Sequence, residues 1–239
     1  MLELKNISYE IDGKKILNDI NIKIDDRFVA ITGPNGSGKS TLAKIIMGII
    51  APTSGQIIFD GRDITEMPVN ERANLGISFA FQQPVRFKGL RVEDLLKLAS
   101  HGNFSDVKAL LTEVGLEPSK YWHRELNDTL SGGEMKRIEI AMTAARGTAL
   151  SLFDEPEAGI DLWSFNSLIK VFEKLYKRTS GSIVIISHQE RILNIADKII
   201  YLKDGRIDSY GEGQKVLKML RELTGEITLK NDGEENGDE

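Results

Sequence analysis

Short apolar runs and amphipathic helical patterns alternate along most of the chain. The apolar runs at 28–31, 149–153 and 183–186 are each followed by apolar residues at helical spacing, over 39–49, 163–178 and 190–196. Continuous apolar runs are typical of strands buried on both faces, and parallel strands need helical connections between them. The pattern therefore predicts an α/β core with a mostly parallel sheet.

The first sixty residues follow a different pattern. Apolar and polar residues alternate over 2–4 and 20–24, and the short β-rich run 56–59 is followed by the hairpin signal Asp60-Gly61. Alternation with period two is typical of strands that bury one face only. The N-terminal region therefore predicts an antiparallel sheet beside the core.

Residues 90–128 show little strand pattern. Apolar residues recur at helical spacing over 92–99 and 107–114, and Ser105 or Asp106 is a suitable N-cap for the second helix. We expect a small helical insert there. No internal repeat and no long linker divides the chain, so we expect one domain over 1–225.

Composition restricts the functions that this domain can have. The chain has 239 residues, 41% of them hydrophobic, and no cysteine, so it cannot form disulfides or thiolate metal sites. An iron-sulfur cluster would have to be held by a partner. No apolar run reaches the length that spans a bilayer, and the first residues lack a signal-peptide pattern, so we expect a cytoplasmic protein.

The charge is concentrated at the C-terminal end. Residues 226–239 carry six acids and one base, a net charge of −5, which equals that of the whole chain. The remaining 1–225 is neutral, whereas dedicated nucleic-acid binders normally carry a basic surplus. We therefore expect no nucleic-acid partner, and a disordered acidic tail over 226–239.

One glycine-rich segment lies between a predicted strand and a predicted helix. It has the order Gly33-Pro34-Asn35-Gly36-Ser37-Gly38-Lys39-Ser40-Thr41, which matches the P-loop pattern. Its glycines allow backbone N–H groups to face phosphate oxygens, and the helix N-terminus favours negative charge. Lys39 would reach the β- and γ-phosphates and Ser40 would bind Mg²⁺, which predicts a site for a nucleoside triphosphate and leaves kinases and small GTPases open. An ordinary glycine-rich turn is the alternative.

Two adjacent carboxylates end the predicted strand at 149–153. Neighbouring side chains at a strand end point in different directions, so Asp154 and Glu155 can have different roles. Asp154 would hold Mg²⁺ and Glu155 would orient or deprotonate the attacking water. The simpler alternative is that Asp-Glu-Pro only terminates the strand, but the P-loop makes the catalytic interpretation stronger.

A further segment restricts the family. Leu130-Ser131-Gly132-Gly133-Glu134 resembles the signature of the ABC-type ATPases, and other motifs of that family follow in order. They are Tyr9, Gln82, Asp154-Glu155, Ala158-Gly159-Ile160-Asp161 and His188. The resemblance covers residues 1–215. It implies an α/β P-loop NTPase of the ABC ATPase fold, with an antiparallel N-terminal subdomain and a helical subdomain at about 88–146.

The resemblance also implies how the site works. Two copies would pair head to tail on ATP, so that Ser131, Gly132, Gly133 and Glu134 of one copy cap the γ-phosphate bound by the other. Asp161 would cross the same interface. Tyr9 would stack on adenine, Gln82 would sense Mg²⁺ and the γ-phosphate, with Gln83 as the alternative, and His188 would contact the γ-phosphate.

Three segments resemble one branch in particular, the ATPases (SufC) of the Suf iron-sulfur cluster assembly system. They are 76–85, 132–140 and 188–193. This implies a scaffold partner of the SufB/SufD type. Departures at 157–161, Gln83 and 163–165 leave a second interpretation open, the subunit of a transporter that binds a transmembrane permease at the membrane. A regulatory or nucleic-acid ABC protein is disfavoured by the neutral body.

Overall fold

Two β-sheets and a group of helices make up the computed structural model, which describes residues 1–83, 87, 89–100, 107–127, 129–160 and 162–222. The strands are β1 Leu2–Ile11, β2 Lys14–Ile24, β3 Phe28–Thr32, β4 Ser54–Phe59, β5 Arg62–Asp63, β6 Ile77–Ala80, β7 Leu150–Asp154, β8 Ser182–Ile186, β9 Lys198–Lys203 and β10 Arg206–Glu212. The helices are α1 Lys39–Met47, α2 Val69–Asn74, α3 Val92–Ala99, α4 Val107–Glu113, α5 Pro118–Tyr121, α6 Gly132–Arg146, α7 Leu162–Arg178 and α8 Glu190–Asn194. A further helix covers 213–222.

The larger sheet has the order β10-β9-β3-β8-β7-β6. Every pair from β9 to β6 is parallel, and only the edge strand β10 is antiparallel to its neighbour. The α/β core with a mostly parallel sheet, expected from the alternation of apolar runs and helices, is confirmed.

Both faces of this sheet are buried, which explains the unbroken apolar runs. Along β3, Phe28 and Ala30 belong to the core cluster beneath α6 and α7, and Val29 and Ile31 belong to the cluster beneath α1 and the N-terminal strands. Successive side chains of a strand point to opposite faces, so each strand must be apolar throughout.

The smaller sheet is antiparallel and has the order β2-β1-β4-β5. The predicted hairpin is present between β4 and β5, where Asp60 and Gly61 have φ angles of 48° and 80°. Positive φ at both turn residues is the requirement of a type I′ turn, which Asp-Gly satisfies. Leu2, Leu4 and Ile57 face the core from this sheet.

The helices α3 to α6 cover the region where the helical insert was expected. Buried apolar residues of α3, α4 and α6 join one cluster, which includes Leu96, Leu110 and Ile138. The proposed caps Ser105 and Asp106 and the acidic tail over 226–239 lie outside the described residues. The boundaries at 88, 146 and 225 stay predictions. None of the helices in the described residues is both long and apolar enough to cross a membrane.

Three adjacent parallel strands, β3, β8 and β7, bring the predicted site residues together. The loop after β3 leads into α1, Asp154 is the last residue of β7, and Ser187 and His188 follow β8. The carboxyl ends of parallel strands share one edge of the sheet, where α/β proteins bind their ligands.

Candidate active site

The P-loop, residues 33–41, has a backbone that only glycine can adopt at two positions. Gly33 has a φ of 143°, and a Cβ added there would lie 1.9 Å from the backbone oxygen of Leu202. Gly38, the N-cap of α1, has a φ of 100°, and its added Cβ would lie 2.6 Å from a methyl group of Leu17. The fold itself therefore requires these two glycines.

Lys39 lies over the P-loop and is buried. Its ammonium group donates to the backbone oxygens of Gly33 and Pro34, each at 2.8 Å. Burial lowers the pKa of Lys39, and the nearby carboxylates of Glu155 and Asp154 oppose that shift. The bonds to the loop hold the cation in the cavity where the P-loop would place phosphate oxygens.

This loop cavity has a volume of about 350 Å³. Its lining comprises Lys14, Ile16, Asn35, Gly36, Gly38, Lys39, Ser40, Thr41 and Glu155. Residues of the P-loop backbone, two lysines and two hydroxyl residues therefore line one concave space. Such a set of donors at a helix N-terminus binds phosphate groups.

Asp154 contacts the P-loop helix from the end of β7. Ser40 Oγ donates to Asp154 Oδ1 at 2.9 Å, and Asp154 is 3% exposed. Burial raises the pKa of Asp154, while the bond from Ser40 opposes the increase. The structure thus brings two oxygen ligands predicted for Mg²⁺ into direct contact.

Glu155 has an unusual backbone conformation for a non-glycine residue. Its φ is 44°, in the left-handed region, which costs on the order of 1–3 kcal/mol for such a residue. The N–H of Glu155 donates to the oxygen of Ile186 at 3.0 Å, and the ammonium group of Lys136 donates to the backbone oxygen of Glu155 at 2.8 Å. These two bonds hold the residue in the strained conformation.

Gln82 and His188 approach the carboxylate of Glu155 from two sides. The amide of Gln82 donates to Glu155 Oε2 at 2.6 Å, and His188 Nε2 lies 3.6 Å from Glu155 Oε1. Burial lowers the pKa of His188, the Lys39 ammonium lowers it further, and Glu155 partly offsets both. The imidazole is therefore neutral near pH 7 and can donate one hydrogen bond.

The signature segment, Leu130–Glu134, begins α6 with a complete capping box. Glu134 N–H donates to Ser131 Oγ at 3.2 Å, and Ser131 N–H donates to Glu134 Oε2 at 2.7 Å. The hydroxyl group of Tyr121 donates to the other oxygen of Glu134. Ser131 and Glu134 thus fix the helix N-terminus at which the resemblance predicts an anion.

Gly132 and Gly133 follow in the first turn of α6. A Cβ added to either glycine would meet no other atom within 4 Å, and neither has a positive φ. The described part of this chain therefore gives no steric reason for glycine here. None of residues 131–134 lines the loop cavity of the same chain.

Three other predicted residues have different outcomes. Tyr9 is half-buried and packs against the cluster that contains Leu17, and it does not line the loop cavity. The amide of Gln82 donates to Glu155, and Gln82 and Gln83 are both exposed. Asp161 lies outside the described residues. The roles of Tyr9 and Asp161 stay predictions.

Three charged residues near the site were not predicted. Lys136 and Glu139 lie on α6 after the signature, and Glu157 follows Glu155 by two residues. Ser187 Oγ donates to Glu157, whose pKa is raised by burial. The helical spacing of Lys136 and Glu139 among apolar residues of α6 was the available signal, because it places both on a face that packs against the core.

A second cavity lies between the core sheet and the helical region. This insert cavity has a volume of about 240 Å³. Its lining comprises Met47, Ser78, Phe79, Phe81, Phe87, Ala99, Leu126, Met135, Glu139, Met142, Thr143 and Arg146. Phe81 connects it to the active site, because the next residue is Gln82.

Comparison with known sequences agrees with this geometry. The sequence profile described as ABC transporter matches residues 17–158, more than half of the chain. An uncharacterized ABC transporter ATP-binding protein of Methanocaldococcus jannaschii is 35% identical over 241 residues, which cover 96% of each protein. A probable ATP-dependent transporter of Synechocystis sp. is 34% identical, with 92% of each protein covered.

Solved structures share the fold. The ATP-binding cassette MJ0796, in a dimeric post-hydrolysis state bound to ADP and phosphate, superposes with a TM-score of 0.77 at 26% identity. The match covers 89% of this chain and 98% of that one. The expected fold, an α/β P-loop cassette with an antiparallel N-terminal part, is therefore confirmed. The chain is an ATPase, and it belongs to the ABC transporter family of ATP-binding proteins.

Proposed function

We propose that this chain is the ATP-binding subunit of a membrane ABC transporter, and that two copies close head to tail around ATP to drive it. One observation supports the head-to-tail dimer. Gly132 and Gly133 have open space where a side chain would be, although the signature segment is fully capped. Glycines that the chain itself does not need are explained when a second copy brings a phosphate against them.

In this proposal several residues of the chain have different roles at the γ-phosphate. Lys39 exchanges its bonds to Gly33 and Pro34 for phosphate oxygens. Glu155 accepts a proton from the attacking water, or orients that water, once Gln82 releases its carboxylate. Neutral His188 donates a hydrogen bond to the γ-phosphate.

Ser40 and Asp154 are the residues that would hold Mg²⁺. Their two oxygens lie 2.9 Å apart, and Mg²⁺ binds such hard oxygen ligands together with phosphate oxygens and water. The buried carboxylate of Asp154, whose pKa is raised, also fits, because a cation would compensate its charge. The ion would neutralise the charge that develops on the phosphate groups during transfer.

The dimer is predicted to open after hydrolysis. Ser131 and the N–H groups that open α6 bind the γ-phosphate only while it is attached to the nucleotide of the other copy. Loss of the γ-phosphate removes this contact, so the two copies separate. Hydrolysis thereby drives a conformational change. Isolated subunits are accordingly expected to be monomeric without ATP.

The proposed partner is a transmembrane permease that contacts the insert cavity. The relatives' names support this choice, because the Methanocaldococcus protein is named as the ATP-binding protein of an ABC transporter. A protein of Mesoplasma florum that is 30% identical is named as the ATP-binding protein of spermidine/putrescine import. The insert cavity adjoins Gln82 through Phe81, so a partner there can affect Glu155.

Isolation of the native complex tests the partner. The tagged chain is purified from its own cells in mild detergent, separately from membrane and soluble fractions, with a Glu155→Gln variant to hold the ATP state. The proposal expects a multi-spanning protein in stoichiometric amount in the membrane fraction. A soluble partner that contains iron and sulfide would contradict it.

That second result would favour the Suf-type scaffold of the SufB/SufD kind. One observation supports this second candidate partner. Two of the segments that resemble the Suf ATPases, 76–85 and 132–140, include Phe79, Phe81 and Glu139, which line the insert cavity. The Suf resemblance therefore lies at the surface where partners would differ.

A further inference from the structure

The insert cavity combines an adaptable apolar wall with one carboxylate. Met47, Met135 and Met142 line it together with Phe79 and Phe81, whose rings lie 4.7 Å apart in an edge contact. Unbranched methionine side chains adjust to different partner side chains, and exposed aromatic residues give large contact areas. Phe81 is 37% exposed, so this wall is accessible.

Glu139 is the acidic residue of the cavity. Its Oε1 accepts a hydrogen bond from Phe81 N–H at 3.1 Å, and burial raises the pKa of Glu139 to about 7. The bond from Phe81 and the charge of Lys136 oppose this increase only in part. Neighbouring groups therefore compensate the negative charge of the Glu139 carboxylate only in part.

The nearest cations of the described residues have other partners. Lys136 lies one turn before Glu139, but its ammonium group donates to the backbone oxygen of Glu155. Arg146 lies two turns after Glu139, and its guanidinium group donates to the oxygen of Ala73 at 2.7 Å. Within the described parts of the chain, no ion pair includes Glu139.

We propose that the insert cavity binds a partner segment that carries a lysine or arginine among apolar residues, and that Glu139 pairs with this cation. The proposal rests on the proposed function, because it names what the partner must present. Charge complementarity selects this occupant. A wholly apolar segment would bury the carboxylate further without compensation, and an acidic one would be repelled.

The ion pair between Glu139 and the partner's cation would also affect the catalytic carboxylate of Glu155. A cation that draws Glu139 away from Phe81 N–H loosens the residue that precedes Gln82. The amide of Gln82 holds Glu155 Oε2 at 2.6 Å, so this movement releases the carboxylate for the attacking water. Glu139 is thus a positioning residue for catalysis as well as the residue that selects the partner.

A display library of random 12-residue peptides tests the proposal on the intact chain. Peptides are selected on wild-type protein, on Glu139→Gln and on Glu173→Gln, a matched change of an exposed glutamate on α7. We expect lysine or arginine among apolar residues to be enriched at least fivefold on wild type and on the α7 control. On Glu139→Gln the apolar preference should persist and the basic preference should disappear.

Arg86 and Lys88 of the chain itself provide a second comparison, because both follow Gln82 in sequence. In a variant with glutamine at both positions, the basic preference should equal that of wild type. A preference that appears only in this variant would overturn the proposal, because it would assign the pairing to the chain's own cations.

Two further results would also overturn the proposal. One is equal basic enrichment on wild type and on Glu139→Gln, and the other is failure of every library to yield a binder at the cavity. Unchanged ATP-dependent dimerisation of wild type in the same preparation separates this failure from failure of the proposed function. A selected basic peptide should in addition raise ATP turnover of wild type more than that of Glu139→Gln.

Discussion

The chain has two glycine-rich segments, each at the N-terminus of a helix, and their glycines differ in what they contact. A Cβ at Gly33 would collide with Leu202, and one at Gly38 would collide with Leu17. A Cβ at Gly132 or Gly133 would meet no other atom within 4 Å. The fold of the chain itself therefore requires the glycines of the P-loop, whereas the glycines of the signature segment border free space, which the proposed dimer would fill.

Glycine is therefore present in the two segments for two different reasons. At the P-loop, glycine provides positive φ and close packing, so its loss should affect folding first. At the signature, glycine provides only free space above exposed N–H groups, so its loss should affect assembly first. Substitutions that separate folding from assembly test this comparison directly.

The largest effect is expected from Gly33→Ala. The strained φ of 143° and the collision with a backbone oxygen should cost about 3 kcal/mol or more of unfolding free energy. Urea denaturation monitored by circular dichroism measures this loss. A variant with wild-type stability would show that the loop tolerates a side chain.

Glu155→Gln should have the next largest effect, on turnover alone. Removal of a general base typically lowers the rate by about 10²–10⁴-fold. ATP binding should remain, so the variant should accumulate as an ATP-bound dimer in sedimentation experiments. Turnover within threefold of wild type would remove Glu155 from the role of base.

Lys39→Ala should weaken nucleotide binding before it affects anything else. The ammonium group is the cation placed by the P-loop within the loop cavity, so ATP affinity should fall by at least about tenfold. Calorimetric titration with ATP measures this change. Undiminished affinity would contradict the assignment of the P-loop.

Gly133→Ala is the matched partner of Gly33→Ala. Alanine in a helix is more stable than glycine by about 0.5–1 kcal/mol, so the unfolding free energy should stay constant or rise. ATP-dependent dimerisation and turnover should nevertheless fall by about tenfold. If stability fell and dimerisation did not, the two segments would not differ as the comparison requires.

The last prediction concerns Glu139 and the pH dependence of stability. Its pKa is raised from 4.5 to about 7 in the folded chain, so the folded state binds an extra proton between these values. The stability contributed by this proton is complete below pH 4.5 and is lost as pH rises through 7. Wild type should therefore lose about 2–3 kcal/mol relative to Glu139→Gln between pH 5 and pH 8. Equal pH slopes for the two proteins in urea denaturation would contradict this.

The sequence predicted the parts of the site that depend on local order. The P-loop, Asp154-Glu155 and the signature each lie within a few residues, and the alternation of strands and helices placed the first two at one edge of a parallel sheet. The contacts that set the state of Glu155 are different. Lys136 and Gln82 reach it from positions 19 and 73 residues away. The packing of α6 against the sheet brings Lys136 there, and the pairing of β6 with β7 brings Gln82 there.

Tyr9 and Glu139 are two examples of contacts that depend on packing between distant elements. The role of Tyr9 was assigned by motif order and stays a prediction, and the register of β1 and β2 places Tyr9 opposite Leu17, against the core. Glu139 has no motif of its own, and its importance appears only when the insert cavity is formed by β6, α3 and α6 together. Sequence spacing along one element indicates a face, but it does not identify what that face meets.

Cross-linking between two copies tests the central claim most directly. The chain has no cysteine, so Asn35→Cys and Thr129→Cys, the latter at an exposed residue just before the signature, can be prepared as separate single-cysteine variants in the Glu155→Gln background. When the two are mixed under mild oxidation, the head-to-tail dimer predicts a disulfide-linked heterodimer with ATP and little with ADP or without nucleotide. Each variant alone should form little cross-linked product. A heterodimer that forms equally without ATP, or self-linking of either variant in its place, would contradict the account.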